Sequence, residues 1–186
     1  MAWLSGPSRE EIWRKLAAEL GAEYVAGGFW KRDRVEASHE GWTITLDTYF
    51  SAAAKCDYTR MRAPFHNRRG FHFTVYRRGM FSDIAKWLGM QDVAVGHEEF
   101  DREFIIKGND QHKLRHLFAN PRLRELIAAQ KQIHLRIHPA KVAGQTDELC
   151  FHVAGVIKDL ARLRLLFDLF AETLDTLGAI GAAKDD

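Results

Sequence analysis

Cysteine is nearly absent: 186 residues contain only Cys56 and Cys150, far apart along the chain. Two distant thiols make no disulfide framework, which excludes a stapled secreted mini-domain and points to a reducing compartment. Proline is scarce as well, with four residues in all, and no Pro/Ser-rich linker divides the chain. One domain over residues 1–186 is therefore expected, with 1–7 and 179–186 frayed. No window reaches the roughly 18 apolar residues of a membrane span. The C-terminal segment comes nearest, but Lys158, Asp159, Arg162, Arg164, Asp168, Glu172 and Asp175 interrupt it. Met1–Pro7 has neither the basic nor the apolar region of a signal peptide. These absences predict a cytoplasmic location and no membrane partner.

Enzyme signatures are missing too. There is no phosphate-binding Walker loop, dinucleotide glycine fingerprint, nucleophile elbow, HExxH or CxxC. His97-Glu98-Glu99-Phe100-Asp101 opens like a zinc-protease helix but lacks the second histidine at its spacing. No cofactor is expected.

What is present is patterning. The apolar content of 46% against 28% charged is that of a globular chain, and this length buries about 70% of its unfolded surface without staples. Ser8-Arg9-Glu10-Glu11 is a capping box, followed by Ile12, Trp13, Leu16, Ala17 and Leu20 at helical spacing and a stop at Gly21. Beyond it the period becomes two. Trp42, Ile44 and Leu46 alternate with Thr43, Thr45 and Asp47; Tyr58–Ala63 alternates; Phe71, Phe73 and Val75 alternate with His72, Thr74 and Tyr76. Shorter runs at Glu23–Val25 and Arg34–Ser38 precede them, with turns at Gly27-Gly28, Glu40-Gly41 and Asn67–Gly70. An antiparallel meander with one dry and one wet face follows from this.

A short helix over Ser82–Leu88 closed by Gly89, a strand at Glu103–Lys107, and helices from Asn109 or Asp110 to Phe118 and from Pro121 complete the middle of the chain. Strands at Gln132–His138 and Leu149–Val156 come next. Last is a long helix carrying Leu160, Leu163, Phe167, Phe170, Leu174 and Leu177, widened by Leu166 and Leu169. A stripe that broad belongs across a sheet; a homodimer seam is the alternative. The expected fold class is α+β: an antiparallel sheet of roughly six to eight strands, packed on one face by helices, chiefly the C-terminal one.

Net charge is only +2, but Lys55, Arg60, Arg62, Arg68, Arg69, Arg77 and Arg78 lie within 24 residues against Asp57 alone. If Leu46 faces Met61, Asp47 faces Arg60 and Thr45 faces Arg62. Continuing the meander sets Tyr76 beside Arg60 and Thr74 beside Arg62. Two guanidinium forks roughly 7 Å apart on one strand face suit a phosphate or carboxylate. Asp47, Arg60, Arg62 and Tyr76 are thus the candidate ligand-binding residues, for a small anion or an acidic protein segment. The plainer reading is a solvated face whose Asp47–Arg60 pair contributes a fraction of a kcal/mol. Nucleic acid is not expected, because Phe71 and Phe73 share the inward parity of Val75 and leave no stacking platform.

Pairing His138 with Glu148 sets His134 beside His152 and Arg136 beside Cys150. An enzyme using a His134/Cys150/His152 metal or thiol centre is the alternative reading, though Arg136 repels a cation and no third ligand is fixed, so no metal is predicted. His112 and His116 stand four apart on a solvent-facing helix surface. Catalytic residues are not assigned.

The segments Gly41–Tyr49, Tyr58–Pro64 and Phe100–Asp110 resemble those of a group of uncharacterised bacterial proteins. The resemblance implies a bacterial, cytoplasmic, single-domain protein and brings no activity, cofactor or catalytic residue with it.

Overall fold

The two periodicities resolve into two layers in a computed structural model of the chain, which describes residues 6–29, 31–79, 92–142 and 145–184, with the backbone alone for Lys184. The elements run α1 (Arg9–Leu20), β1 (Glu23–Val25), β2 (Arg34–His39), β3 (Trp42–Ser51), β4 (Cys56–Asn67), β5 (Phe73–Arg77), α2 (Glu98–Glu103), β6 (Phe104–Gly108), α3 (Gln111–Ala119), α4 (Pro121–Ala128), β7 (His134–His138), β8 (Asp147–Ala154), α5 (Leu160–Ala179) and β9 (Ala183–Lys184). The expected α+β class holds. Antiparallel strands form one sheet in the order β1-β2-β3-β4-β8-β7-β5-β6, and β9 pairs with the end of β4.

Local chemistry sets the ends. The Ser8 hydroxyl accepts from the Glu11 amide and Glu11 accepts from the Ser8 amide, closing the capping box on α1. Gly21 ends that helix at φ 62°, a conformation that costs other residues strain. Glu40 and Gly41 both take positive φ, the tight two-residue hairpin that joins His39 to Trp42. Asn120 caps α4 through its Oδ1 while its Nδ2 donates to Glu172 and Thr176 of α5, so one side chain fixes the α4 start against the long helix.

Burial follows the alternation. Val35, Leu46, Met61, Phe151, Leu135, Val75 and Ile106 form a single row across seven strands, each 2% exposed or less. Helices lie over this row. Leu163, Leu166, Leu169, Phe170, Leu174 and Leu177 of α5 are fully buried, as are Trp13 and Leu16 of α1. The α5 stripe is thereby buried in the chain's own core.

Three expectations need correction. The meander stops at β4: the β7–β8 hairpin separates it from β5. Strand alternation assigns faces but is indifferent to order, and β8 satisfies the row beside Met61 as well as β5 would. Residues 98–102, read as no element, and Glu103, read as the start of a strand, form α2, whose Asp101 carboxylate accepts from the amides of Val95, Gly96 and His97. The tail is not frayed from Ala179: Ala182 and Ala183 are buried, the Arg68 amide donates to Ala182, and β9 pairs with His66 and Asn67. Their small side chains fit where the sheet and α5 meet. The helix expected at Ser82–Leu88 lies outside the described residues.

Candidate functional site

The face of the sheet turned away from the helices carries two polar rows. One runs Glu36–Thr45–Arg62–Cys150–Arg136–Thr74–Lys107. The next runs Asp47–Arg60–His152, then His134–Tyr76, the two parts joined by a 3.0 Å contact between His134 Nδ1 and His152 Nε2.

Asp47 organises the first end. Its carboxylate accepts from Arg60 Nε at 2.8 Å and Nη2 at 2.7 Å, a bidentate fork, and from Arg62 Nη2 at 3.0 Å. Asp47 is 8% exposed, so its charge is held in place by the two guanidiniums rather than by water. Its hydrogen bonds keep the Arg60 guanidinium above its ordinary pKa. Glu148 lies 3.7 Å from Arg62 Nη1, and the buried Arg62 Nε makes no hydrogen bond. Arg60 also lies over the Tyr49 ring at 5.2 Å, and Tyr49 stacks on Tyr58 with centroids 5.3 Å apart.

Beside this carboxylate is a cavity of about 420 Å³, lined by Lys31, Arg32, Arg34, Arg60 and Arg62 with Asp47, Thr48, Tyr49 and Phe50. It exists because β3 outruns β2. Their register ends at Val35–Leu46 while β3 continues to Ser51, and the loop before β2 bows away to leave the gap. Asp33 anchors that loop, accepting from the Gly27 amide and from Arg9. Arg32 reaches across to Asp57, and Arg34 pairs with Glu36.

The register expected for Asp47, Arg60 and Arg62 is the one observed. Tyr76 does not join them. It sits three strands from Arg60, about 14 Å at ordinary strand spacing, with its ring edge on His134 at 6.3 Å. Thr74 likewise neighbours Arg136 and not Arg62. Nor does the basic stretch remain one patch. Arg77 turns to Glu103 and the carbonyls of Ala128 and Gln130, and Arg78 to those of Asp101 and Arg102. Sequence reasoning missed Lys31, Arg32 and Arg34. They come from a loop, where strand alternation says nothing, and the only signal is the basic run after Gly27-Gly28.

The hairpin register that pairs Arg136 with Cys150 and His138 with Glu148 also matches expectation. Burial, with His152 and Arg136 alongside, lowers His134 to about 3; burial, with Arg136 and Arg60, lowers His152 to about 4. Burial and then the Glu148 charge push the Cys150 thiol up to about 11. Neutral imidazoles beside a protonated thiol do not make a nucleophile at neutral pH. Among the described residues no group of three His, Cys, Asp or Glu side chains is placed to hold a metal ion. No helix among them is long and apolar enough to cross a membrane.

No family model matches the chain, and no curated protein does. Among solved structures, the crystal structure of the mycobacterial trehalose monomycolate transport factor A, TtfA, aligns with a TM-score of 0.52 at 9% identity, over 88% of this chain and 95% of that one. At that identity the likeness concerns the fold, and function has to be argued from the site.

Proposed function

We propose that this chain is a non-catalytic binding domain that holds an oxyanion, a phosphate or carboxylate, in the cavity beside Arg60 and Arg62. The observation that carries the reading is the shared Asp47 carboxylate. It orients two adjacent guanidiniums before any ligand arrives and leaves Arg62 Nε undirected. Preset forks lower the ordering cost of binding. Arg32, Arg34 and Lys31 line the same cavity, so an anion entering it meets cations from both sides of β3. TtfA is a transport factor, and a binding role without catalysis agrees with that.

The test is calorimetric titration with phosphate, sulfate and citrate. Removing the arginines alone would strand a buried carboxylate and cost several kcal/mol of stability, so the informative variant is Arg60→Gln with Arg62→Gln and Asp47→Asn. It is expected to fold and to bind at least about tenfold more weakly, the loss of one charge-assisted contact or more. Unchanged affinity in that variant, or no binding of any of the three anions by the unmodified protein, refutes the proposal.

A further inference from the structure

Among the described residues three large apolar side chains are exposed: Phe29 at 93%, Phe50 at 56% and Val142 at 58%. Single exposed apolar residues are ordinary, but one of these three lines the cationic cavity and another belongs to the loop that contributes Lys31 and Arg32 to it. Phe50 lines it, and Phe29 is two residues from Lys31, which lines it too. The turn after Phe50 continues the pattern: Ala52, Ala53 and Ala54 are all exposed, and Lys55 closes the turn. Phe29 and Lys31 in the loop before β2, Phe50 at the end of β3, and Ala52, Ala53, Ala54 and Lys55 in the turn after it are therefore exposed at one end of the sheet. The carboxylates there are engaged, Asp57 by Arg32 and Asp33 by Arg9, whereas Lys31 and Lys55 stand exposed.

Aromatic tips flanked by lysine and arginine are what a surface needs to dock on an anionic bilayer without spanning it. The rings enter the boundary between headgroups and chains, and the cations meet the lipid phosphates. We infer that the end of the sheet formed by Phe29, Phe50 and the 52–55 turn docks on an anionic phospholipid surface, with a lipid phosphate entering the Arg32/Arg60/Arg62 cavity. The seat for that phosphate rests on the anion-binding reading; the apolar contact does not. That no helix among the described residues is long and apolar enough to cross a membrane bears on insertion across a bilayer and not on contact with its surface.

The experiment is co-sedimentation with vesicles of phosphatidylcholine, with and without phosphatidylglycerol, alongside calorimetric titration of free glycerol 3-phosphate. The unmodified protein is expected to pellet with the phosphatidylglycerol vesicles and not with phosphatidylcholine alone. Phe29→Ser, at an exposed position that is not part of the cavity lining, should weaken vesicle binding about tenfold and leave glycerol 3-phosphate binding unchanged. A protein that binds glycerol 3-phosphate but no vesicle retains the anion site and overturns membrane docking. Vesicle binding that the Phe29→Ser variant retains overturns the role of the aromatic tip. Binding to polyglutamate without binding to vesicles overturns the inference in favour of an acidic protein partner.

Discussion

Lowering the pH from 7 to 5 should remove about 4 kcal/mol of folding stability through His134 and His152 alone. In the folded chain both imidazoles are neutral, held at about 3 and about 4 chiefly by burial, with Arg136 near both rings and Arg60 near His152. In the unfolded chain they return to an ordinary value of about 6.5. The unfolded state thus takes up protons first as the pH falls, and each proton it binds favours unfolding. Stability from the pair is complete above about pH 6.5 and is lost progressively as the pH drops toward the folded values. At pH 5 the difference is about 1.5 pH units for each ring, or about 2 kcal/mol each. Against a domain stability of roughly 5–15 kcal/mol, that is a large fraction.

The geometry agrees with a neutral pair. His134 Nδ1 and His152 Nε2 are 3.0 Å apart, so one must donate and the other accept. Two imidazolium rings would aim donors at one another. The assay is urea denaturation between pH 7 and pH 5, comparing the unmodified chain with His134→Gln/His152→Gln, whose side chains do not titrate. Subtracting the two curves cancels the carboxylates common to both. The expected excess loss is about 4 kcal/mol in the unmodified chain. Parallel loss in both, or an imidazole titrating by NMR near its ordinary value, would show that the pair is not held neutral as argued.

Other consequences are more local. Thr59 is fully buried, donates to the Gly155 carbonyl and accepts from the Ile157 amide. Thr59→Val orphans that amide and should cost about 1–3 kcal/mol in urea denaturation, with Thr59→Ser restoring most of it. Truncating the fully buried Phe170 to alanine opens a cavity under the sheet, and a loss of about 3–5 kcal/mol is expected by the same measurement. At Gly108 an added Cβ would meet the His72 carbonyl at 2.7 Å and a Leu114 methyl at 2.8 Å. Gly108→Ala should therefore lower the thermal midpoint through a backbone shift costing about 1–3 kcal/mol. Cys56 is half-buried and Cys150 buried with a raised thiol pKa; a thiol reagent on the native protein should modify Cys56 first, and rapid labelling of Cys150 would reopen the thiol-enzyme alternative.

How far the residues announce this structure depends on the distance over which each signal acts. The α1 capping box, the Glu40-Gly41 hairpin and the β7–β8 register are set by neighbours in sequence, and each can be read there. His134 against His152 was legible for that reason: the two lie on one hairpin, so pairing His138 with Glu148 determines the rest. Asp47 with Arg60 and Arg62 was legible likewise, because the β3–β4 turn is only four residues long. Tyr76 was not. Its neighbour is chosen by where the chain returns some sixty residues later, a choice no local pattern encodes.

That limit also explains the fate of the basic stretch. Alternation sorts side chains between two faces, and any strand order keeps Leu46, Met61, Phe151, Leu135 and Val75 in one buried row. Face is thus a property of the segment, whereas neighbourhood is a property of the whole sheet. Inserting the β7–β8 hairpin after β4 carries Arg77 and Arg78 away from Arg60 and Arg62. It puts neutral His152 beside Arg60, Cys150 beside Arg62, and Arg136 beyond it. Three arginines then converge on one buried thiol, close enough that all three act to lower the pKa that burial and Glu148 raise. Asp47 pairs with Arg60 and Arg62, and Glu148 lies beside Arg62. Strand order, which places Arg136 opposite Arg62 across β8, thus decides which cations share this part of the polar face, and the run of charge in the sequence does not.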